Sequence, residues 1–162
     1  MSQPAPEQEK KHAGVIVPPP LIYAGVLAIA LGIDYGVAGP GLGLGWMPRM
    51  VAGGLLVVLG FAIPLIALAQ FRMAGTDRRP WKPSSALVTS GMYNYTRNPM
   101  YVGMSLIYAG LALLANSTIA LVVLPPLLVL ITAAVIKREE RYLEVTFGEE
   151  YRRYKERVRR WI

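Results

Sequence analysis

The twenty residues Met50–Ala69, MVAGGLLVVLGFAIPLIALA, contain no charged side chain. At about 1.5 Å per residue, a helix of this length is about 30 Å long, the thickness of the hydrocarbon core of a bilayer. No polar face interrupts the run, so a small soluble protein would have no way to wet one side of it. Three more apolar runs share this character: Leu21–Gly39, Met100–Ala115 and Thr118–Ile136. The whole chain, 162 residues long, is 54% hydrophobic and 17% charged, and the charge lies in blocks between the runs. The reading is an all-α, polytopic membrane protein with about four transmembrane helices and a C-terminal amphipathic helical tail. Met100–Ala115 is the short run. It either starts within the Asn98-Pro99 junction or forms a hairpin with the fourth run across Asn116-Ser117.

The basic residues orient this arrangement. Two Lys or Arg precede the first run, Arg49 stands between the first and second, five lie between the second and third, none between the third and fourth, and nine follow the fourth. With the N-terminus in the cytoplasm, sixteen of the seventeen fall on the cytoplasmic side, the asymmetry of the positive-inside rule. Both termini are therefore expected to be cytoplasmic. The expected organisation is a polar tail over residues 1–17, a transmembrane helical domain over 18–136 and a cytoplasmic tail over 137–162. The first run carries Asp34 and no small-residue cleavage site follows it, so it reads as an anchor instead of a removable signal peptide. The absence of cysteine excludes disulfides, thiolate nucleophiles and cysteine-based metal sites, and the lone His12 cannot build a metal site either. A formal charge of +7 and a pI near 9.9 suit nucleic acid in principle. Here the positive charge sits beside membrane helices and better fits anionic lipid headgroups, so no nucleic-acid partner is expected.

Two segments on the cytoplasmic side draw attention. Arg78-Arg79-Pro80-Trp81-Lys82-Pro83 is too proline-rich for helix and carries an aromatic ring suited to headgroup depth. In the tail, Leu143, Phe147, Tyr151, Tyr154, Val158 and Trp161 recur at helical spacing and define one apolar face, with Gly148 expected to divide it into two helices. Such a tail can serve simply as an interfacial anchor. The acidic pairs Glu139-Glu140 and Glu149-Glu150 argue for more, because an anchor on anionic lipid gains nothing from carboxylates.

The pattern Gly91-x-Tyr93-x-x-x-Arg97-Asn98-Pro99-x-Tyr101-x-Gly103 is followed by an apolar hairpin. Then comes Glu139-Glu140-x-x-Leu143-x-x-x-Phe147-Gly148-x-x-Tyr151-x-x-Tyr154. Together they resemble the integral-membrane methyltransferases of the isoprenylcysteine carboxyl methyltransferase and phospholipid methyltransferase group. The resemblance covers about Ala86–Tyr154, and two separated motifs in order are more specific than either alone. It implies S-adenosylmethionine as cofactor, held at the cytoplasmic ends of the last helices and capped by the tail, and a lipid-like acceptor arriving from the bilayer.

The residues supply what such a cofactor needs. Glu139 and Glu140 can accept hydrogen bonds from ribose hydroxyls or an ammonium. Arg97 can fork onto the cofactor carboxylate, or snorkel to the interface. Pro99 is expected to hold Asn98 extended, leaving its amide to bind cofactor or cap the third helix. Tyr93, Tyr101, Tyr151 and Tyr154 can cover adenine or face the sulfonium, or act as interfacial belt residues. Gly103 permits close approach of a ligand or of another helix.

Several departures narrow the reading. Many relatives carry histidine where this chain has Asn98, so an imidazole base there is excluded. Gly103-Met104-Ser105 keeps only the first glycine of the phospholipid enzymes' glycine-x-glycine. Four helices are fewer than in the eukaryotic carboxyl methyltransferases. The implied reaction is in-line attack of an acceptor heteroatom on the sulfonium methyl, with no catalytic residue assigned. The alternatives are a nicotinamide-dependent membrane reductase and a non-enzymatic scaffold with a basic interfacial tail. Pro64 and Pro125-Pro126 are expected to kink the second and fourth helices, and Asp34 is an intramembrane charge far from the cytoplasmic face.

Overall fold

The protein is described by a computed structural model covering residues 17–37, 39, 41–73 and 87–162. His12, the rest of the 1–16 segment and the Arg78–Pro83 stretch lie outside the described residues. Among the described residues six α-helices follow one another: α1 (Pro19–Gly36), α2 (Trp46–Met73), α3 (Pro99–Leu114), α4 (Thr118–Ile131), α5 (Lys137–Phe147) and α6 (Glu149–Arg157). A 3₁₀ turn, Gly91–Asn94, precedes α3, and a π-helical turn, Thr132–Ile136, joins α4 to α5 without a break. Among the described residues there is no strand.

Among the described residues three helical stretches are long and apolar enough to cross a membrane: Pro19–Gly36, Trp46–Gln70 and Thr118–Phe147. With 16 residues, α3 is shorter, as the sequence suggested. The side chains on the outside of the bundle are apolar, among them Leu55, Val58, Phe61 and Leu65 on α2, each more than half exposed. That is the reverse of a soluble surface and the expected condition of helices solvated by lipid.

Between apolar helices in lipid there is little hydrophobic drive to associate, so close backbone contact and polar links hold the bundle. The closest pair, α2 and α3, meets along an antiparallel glycine seam. Gly53 and Gly60 on α2 and Gly110 and Gly103 on α3 share a seven-residue spacing, which keeps each pair on one face. A Cβ on Gly60 would lie 2.8 Å from the Gly103 carbonyl oxygen, and one on Gly110 would lie 2.7 Å from that of Gly53. The ring of Pro64 fills the space beside Gly103. A proline whose expected role was to bend α2 is thus also part of its packing surface.

The main core joins Tyr23 and Ala30 of α1 with Tyr101, Tyr108 and Ala112 of α3 and with Ala120, Leu127 and Ile131 of α4. Pro125 and Pro126 are accommodated inside α4, and the departure from α-helical geometry comes after them, at the π turn. Ala120, Leu127 and Ile131 form the buried stripe before it, Val135 and Ile136 are both buried within it, and Glu140 continues the stripe beyond. The widened turn advances the buried face by one residue, and this brings Glu140 inward. The boundary anticipated at 136/137 falls inside this continuous helix.

A second, smaller core packs Tyr151, Tyr154 and Val158 against Ala67, Val88 and Tyr93. Gly148 divides the tail as expected: its φ of 55° and ψ of −122° suit glycine, and its N–H bonds the Glu144 carbonyl at 2.9 Å. The helical periodicity of the tail does not extend to Trp161. α6 ends at Arg157, Val158 is extended (φ −121°, ψ 130°), and Trp161 packs against the main core instead.

Candidate functional site

Three distant segments converge where α3 begins. The first is Gly91–Asn98. Gly91 has a positive φ of 62°, and a Cβ there would collide with the Gln70 side chain. Gln70 Oε1 in turn accepts the Met92 N–H at 3.1 Å, tying the 3₁₀ turn to the end of α2. The second segment is the start of α5, carrying Glu139 and Glu140. The third is the C-terminal run from Tyr151 to Trp161.

The chain end is bonded directly to the Thr96–Asn98 junction. The Arg97 N–H donates to the Arg159 carbonyl at 3.0 Å. The Thr96 hydroxyl and the Asn98 side-chain N–H both donate to the Arg160 carbonyl, at 3.2 and 2.9 Å. Asn98 therefore neither caps α3 with its side chain nor stands extended: its ψ is 52°, and its backbone N–H bonds Thr96 Oγ1 at 3.1 Å. The tertiary bond to Arg160 and the local bond to Thr96 override the preference of a residue before proline. Pro99 occupies the first turn of α3, where a missing N–H costs nothing, and is fully buried.

Glu140 is buried and faces two guanidinium groups. Arg160 takes both of its oxygens, Nε to Oε1 at 3.0 Å and Nη2 to Oε2 at 2.8 Å. Arg97 Nη1 approaches Oε1 at 3.1 Å without hydrogen-bonding geometry, and among the described residues neither Arg97 Nε nor Nη1 has a hydrogen-bond partner, although both atoms are buried. The Arg97 side chain is 10% exposed and that of Arg160 33%. Burial, reinforced by the Glu140 charge and opposed by Arg97, pushes the Tyr151 hydroxyl up to about 12. Tyr154 is raised too, chiefly by burial, and donates to the Tyr93 carbonyl at 2.8 Å. Its hydrogen bond to Glu140 holds Arg160 above its usual range. Both tail tyrosines thus remain protonated donors at neutral pH. Glu140 alone faces both guanidinium groups, and the unpartnered Arg97 donors beside it suit an acceptor.

Of the residues expected to form one site, Tyr93, Arg97, Asn98, Pro99, Tyr101, Glu139, Glu140, Tyr151 and Tyr154 gather at this end of the bundle. Tyr101 donates to Glu139 Oε1 at 2.8 Å. Gly103 stands apart: α2 fills the space beside it, so its close approach is to a helix. Sequence reasoning missed Thr96 and Arg160. Arg160 sits between two positions of the apolar stripe, but its pairing with Glu140 depends on the chain leaving the helix at Val158. Not all the tail cations face outward, since Arg160 turns inward while Arg152, Arg153, Arg157 and Arg159 are exposed.

Residues 48–150 match the family model described as phospholipid methyltransferase, a range running from α2 into the first turn of α6. The chain is 41% identical over 63 residues to an uncharacterised protein of Haemophilus influenzae, an alignment spanning 39% of this chain and all of that protein. It is 33% identical over 72 residues to the protein-S-isoprenylcysteine O-methyltransferase of Schizosaccharomyces pombe, covering 44% of this chain and 30% of that enzyme's length. No solved structure matches the chain.

Proposed function

This chain belongs to the phospholipid methyltransferase family, whose members act as membrane methyltransferases, and we propose that it uses S-adenosylmethionine to methylate a lipid-like acceptor at the cytoplasmic face of the membrane. The carrying observation is the Arg97 guanidinium, buried beside Glu140 with Nε and Nη1 lacking hydrogen-bond partners among the described residues. Buried donors of this kind are costly unless an acceptor on a ligand completes them, and a carboxylate oxygen is a strong acceptor for a guanidinium N–H.

In this reading Arg97 holds the cofactor carboxylate. Glu139 and Glu140 accept from its ammonium or ribose hydroxyls, and the tyrosines around them supply aromatic faces and hydroxyl donors. Bound there, the cofactor supplies a methyl carbon already activated by its sulfonium charge. The chain's own contribution is position and dryness. Tyr151, Tyr154, Val158 and Trp161 are packed inward, and the hydrogen bonds from Thr96, Arg97 and Asn98 hold the chain end over the junction. Tyr151, raised to about 12, acts as a hydroxyl donor and not as a base. Asn98 offers no imidazole for proton removal. Both termini lie in the cytoplasm, and Arg152, Arg153, Arg157 and Arg159 face anionic headgroups. The S. pombe enzyme acts as an O-methyltransferase on isoprenylcysteine, but the alignment covers 30% of it, so the acceptor here is assigned only as lipid-like.

The test is calorimetric titration of detergent-solubilised protein with S-adenosylhomocysteine and, separately, with NADPH. Saturable binding of the first and none of the second is expected. Binding of NADPH alone would replace this reading with a reductase, and binding of neither would leave a scaffold.

A further inference from the structure

Arg160 lies beyond the matched family range, which ends at residue 150, and outside both sequence motifs. Its environment is nevertheless specific. Its carbonyl receives two side-chain hydrogen bonds and the preceding carbonyl receives a third. The following residue, Trp161, is packed into the main core. The backbone is fixed on both sides, so the guanidinium reaches Glu140 from a docked segment, with less freedom to lose than an arginine on an exposed helix.

The division of Glu140 between its two cations is unequal. The shallower one, Arg160, forks onto both oxygens, whereas the deeper one, Arg97, has a single ion-pair contact and no hydrogen bond to the carboxylate. Left alone with Glu140, a buried arginine gains most from the two-bond fork. We propose that Arg160 is a positioning residue of the cofactor site: by holding both oxygens of Glu140 it prevents Glu140 from closing onto Arg97, and so keeps the buried donors of Arg97 open for a ligand carboxylate. The inference rests on the cofactor reading above and adds how the site is kept ready. It assigns Arg160 an effect on one chemical part of the ligand only, the amino-acid carboxylate.

Two thioether ligands separate that part from the rest. S-Adenosylhomocysteine carries the amino-acid group, and 5′-methylthioadenosine has the same nucleoside without it. In calorimetric titrations, Arg160→Gln should weaken S-adenosylhomocysteine by about tenfold or more, the scale of charge-assisted bonds to one carboxylate, while 5′-methylthioadenosine changes by less than about twofold. Arg160→Lys keeps the charge but cannot fork, so the same selectivity should appear at smaller size. A parallel loss for both ligands would mean that Arg160 only straps the tail down, and unchanged affinity for both would also overturn the proposal. A readout without any ligand is the Arg97 Nε–H resonance in nitrogen-15 spectra, identified by its loss in Arg97→Lys. It should move toward the shift of a carboxylate-bonded guanidinium in both Arg160 variants, and a stationary resonance rejects the proposal. If the unaltered protein bound neither nucleoside, the cofactor reading would fall while this resonance still decided whether Arg160 keeps Glu140 off Arg97.

Discussion

At the end of α3 that begins with Pro99, Glu140 is shared between Arg97 and Arg160. At the other end, Asp34 accepts from the Ser117 hydroxyl and from the Ile119 N–H at the start of α4. Ser117 also caps α4 by accepting the Ala120 N–H at 3.0 Å, and Asn116, in a left-handed conformation at φ 57°, accepts the Leu42 N–H at 3.0 Å. Every partner of Asp34 there is a turn or helix-start group, and a negative charge at a helix N-terminus is favourable for that reason alone. The Glu140 end is different in kind. Its partners are two guanidinium groups, where those of Asp34 are a hydroxyl and a backbone N–H. A carboxylate that completes the start of a helix reads as architecture; one that faces two guanidinium groups is the one we propose as a binding site.

The strongest way to break this contrast is to remove the third segment. Deleting Glu149–Ile162 takes away Tyr151, Tyr154 and Arg160 and should abolish S-adenosylhomocysteine binding in detergent, where no lipid surface exists to be anchored to. Retained affinity would reduce the tail to an anchor. Next in size, Glu140→Gln should cost about 1.5–3 kcal/mol of cofactor affinity, the scale of a hydrogen bond to a charged group. Glu149→Gln is its control and should leave the titration unchanged, because Glu149 is exposed and among the described residues pairs with Arg152 and Arg153.

The seam joining the two ends offers a test of stability. Gly103→Ala forces a methyl against Pro64 and the Gly60 carbonyl and should destabilise the bundle by about 1–3 kcal/mol in a detergent thermal melt. Gly25→Ala meets nothing within 4 Å and should be neutral or stabilising. Equal effects would mean that the seam does not hold α2 to α3. The smallest effect belongs to Asp34→Asn. It removes a charge from a helix start and should lower stability by about 0.3–1 kcal/mol with cofactor affinity unchanged. A loss of affinity in that variant would erase the distinction between the ends.

Much of this was legible in the residues. The apolar runs gave the helices, Gly148 gave the break in the tail, and the spacing of Tyr151, Tyr154 and Val158 gave the buried face. Arg97, Glu139 and Glu140 stood out because charge at the edge of an apolar run is conspicuous. Other features were not visible. Gly53, Gly60, Gly103 and Gly110 became a seam only once α2 and α3 were laid antiparallel. The π turn at Thr132–Ile136, which selects Glu140 for the buried face, left no mark in a run that is apolar throughout.

The sequence by itself determined that this chain is a bundle of apolar helices with a charged, amphipathic end, because hydrophobic length and charge spacing act residue by residue. Only the tertiary structure decided which charges meet. Arg160 reaches Glu140 because the backbone turns extended at Val158 and docks on Thr96–Asn98, and a contact of that kind depends on the relative position of three segments that no local pattern encodes.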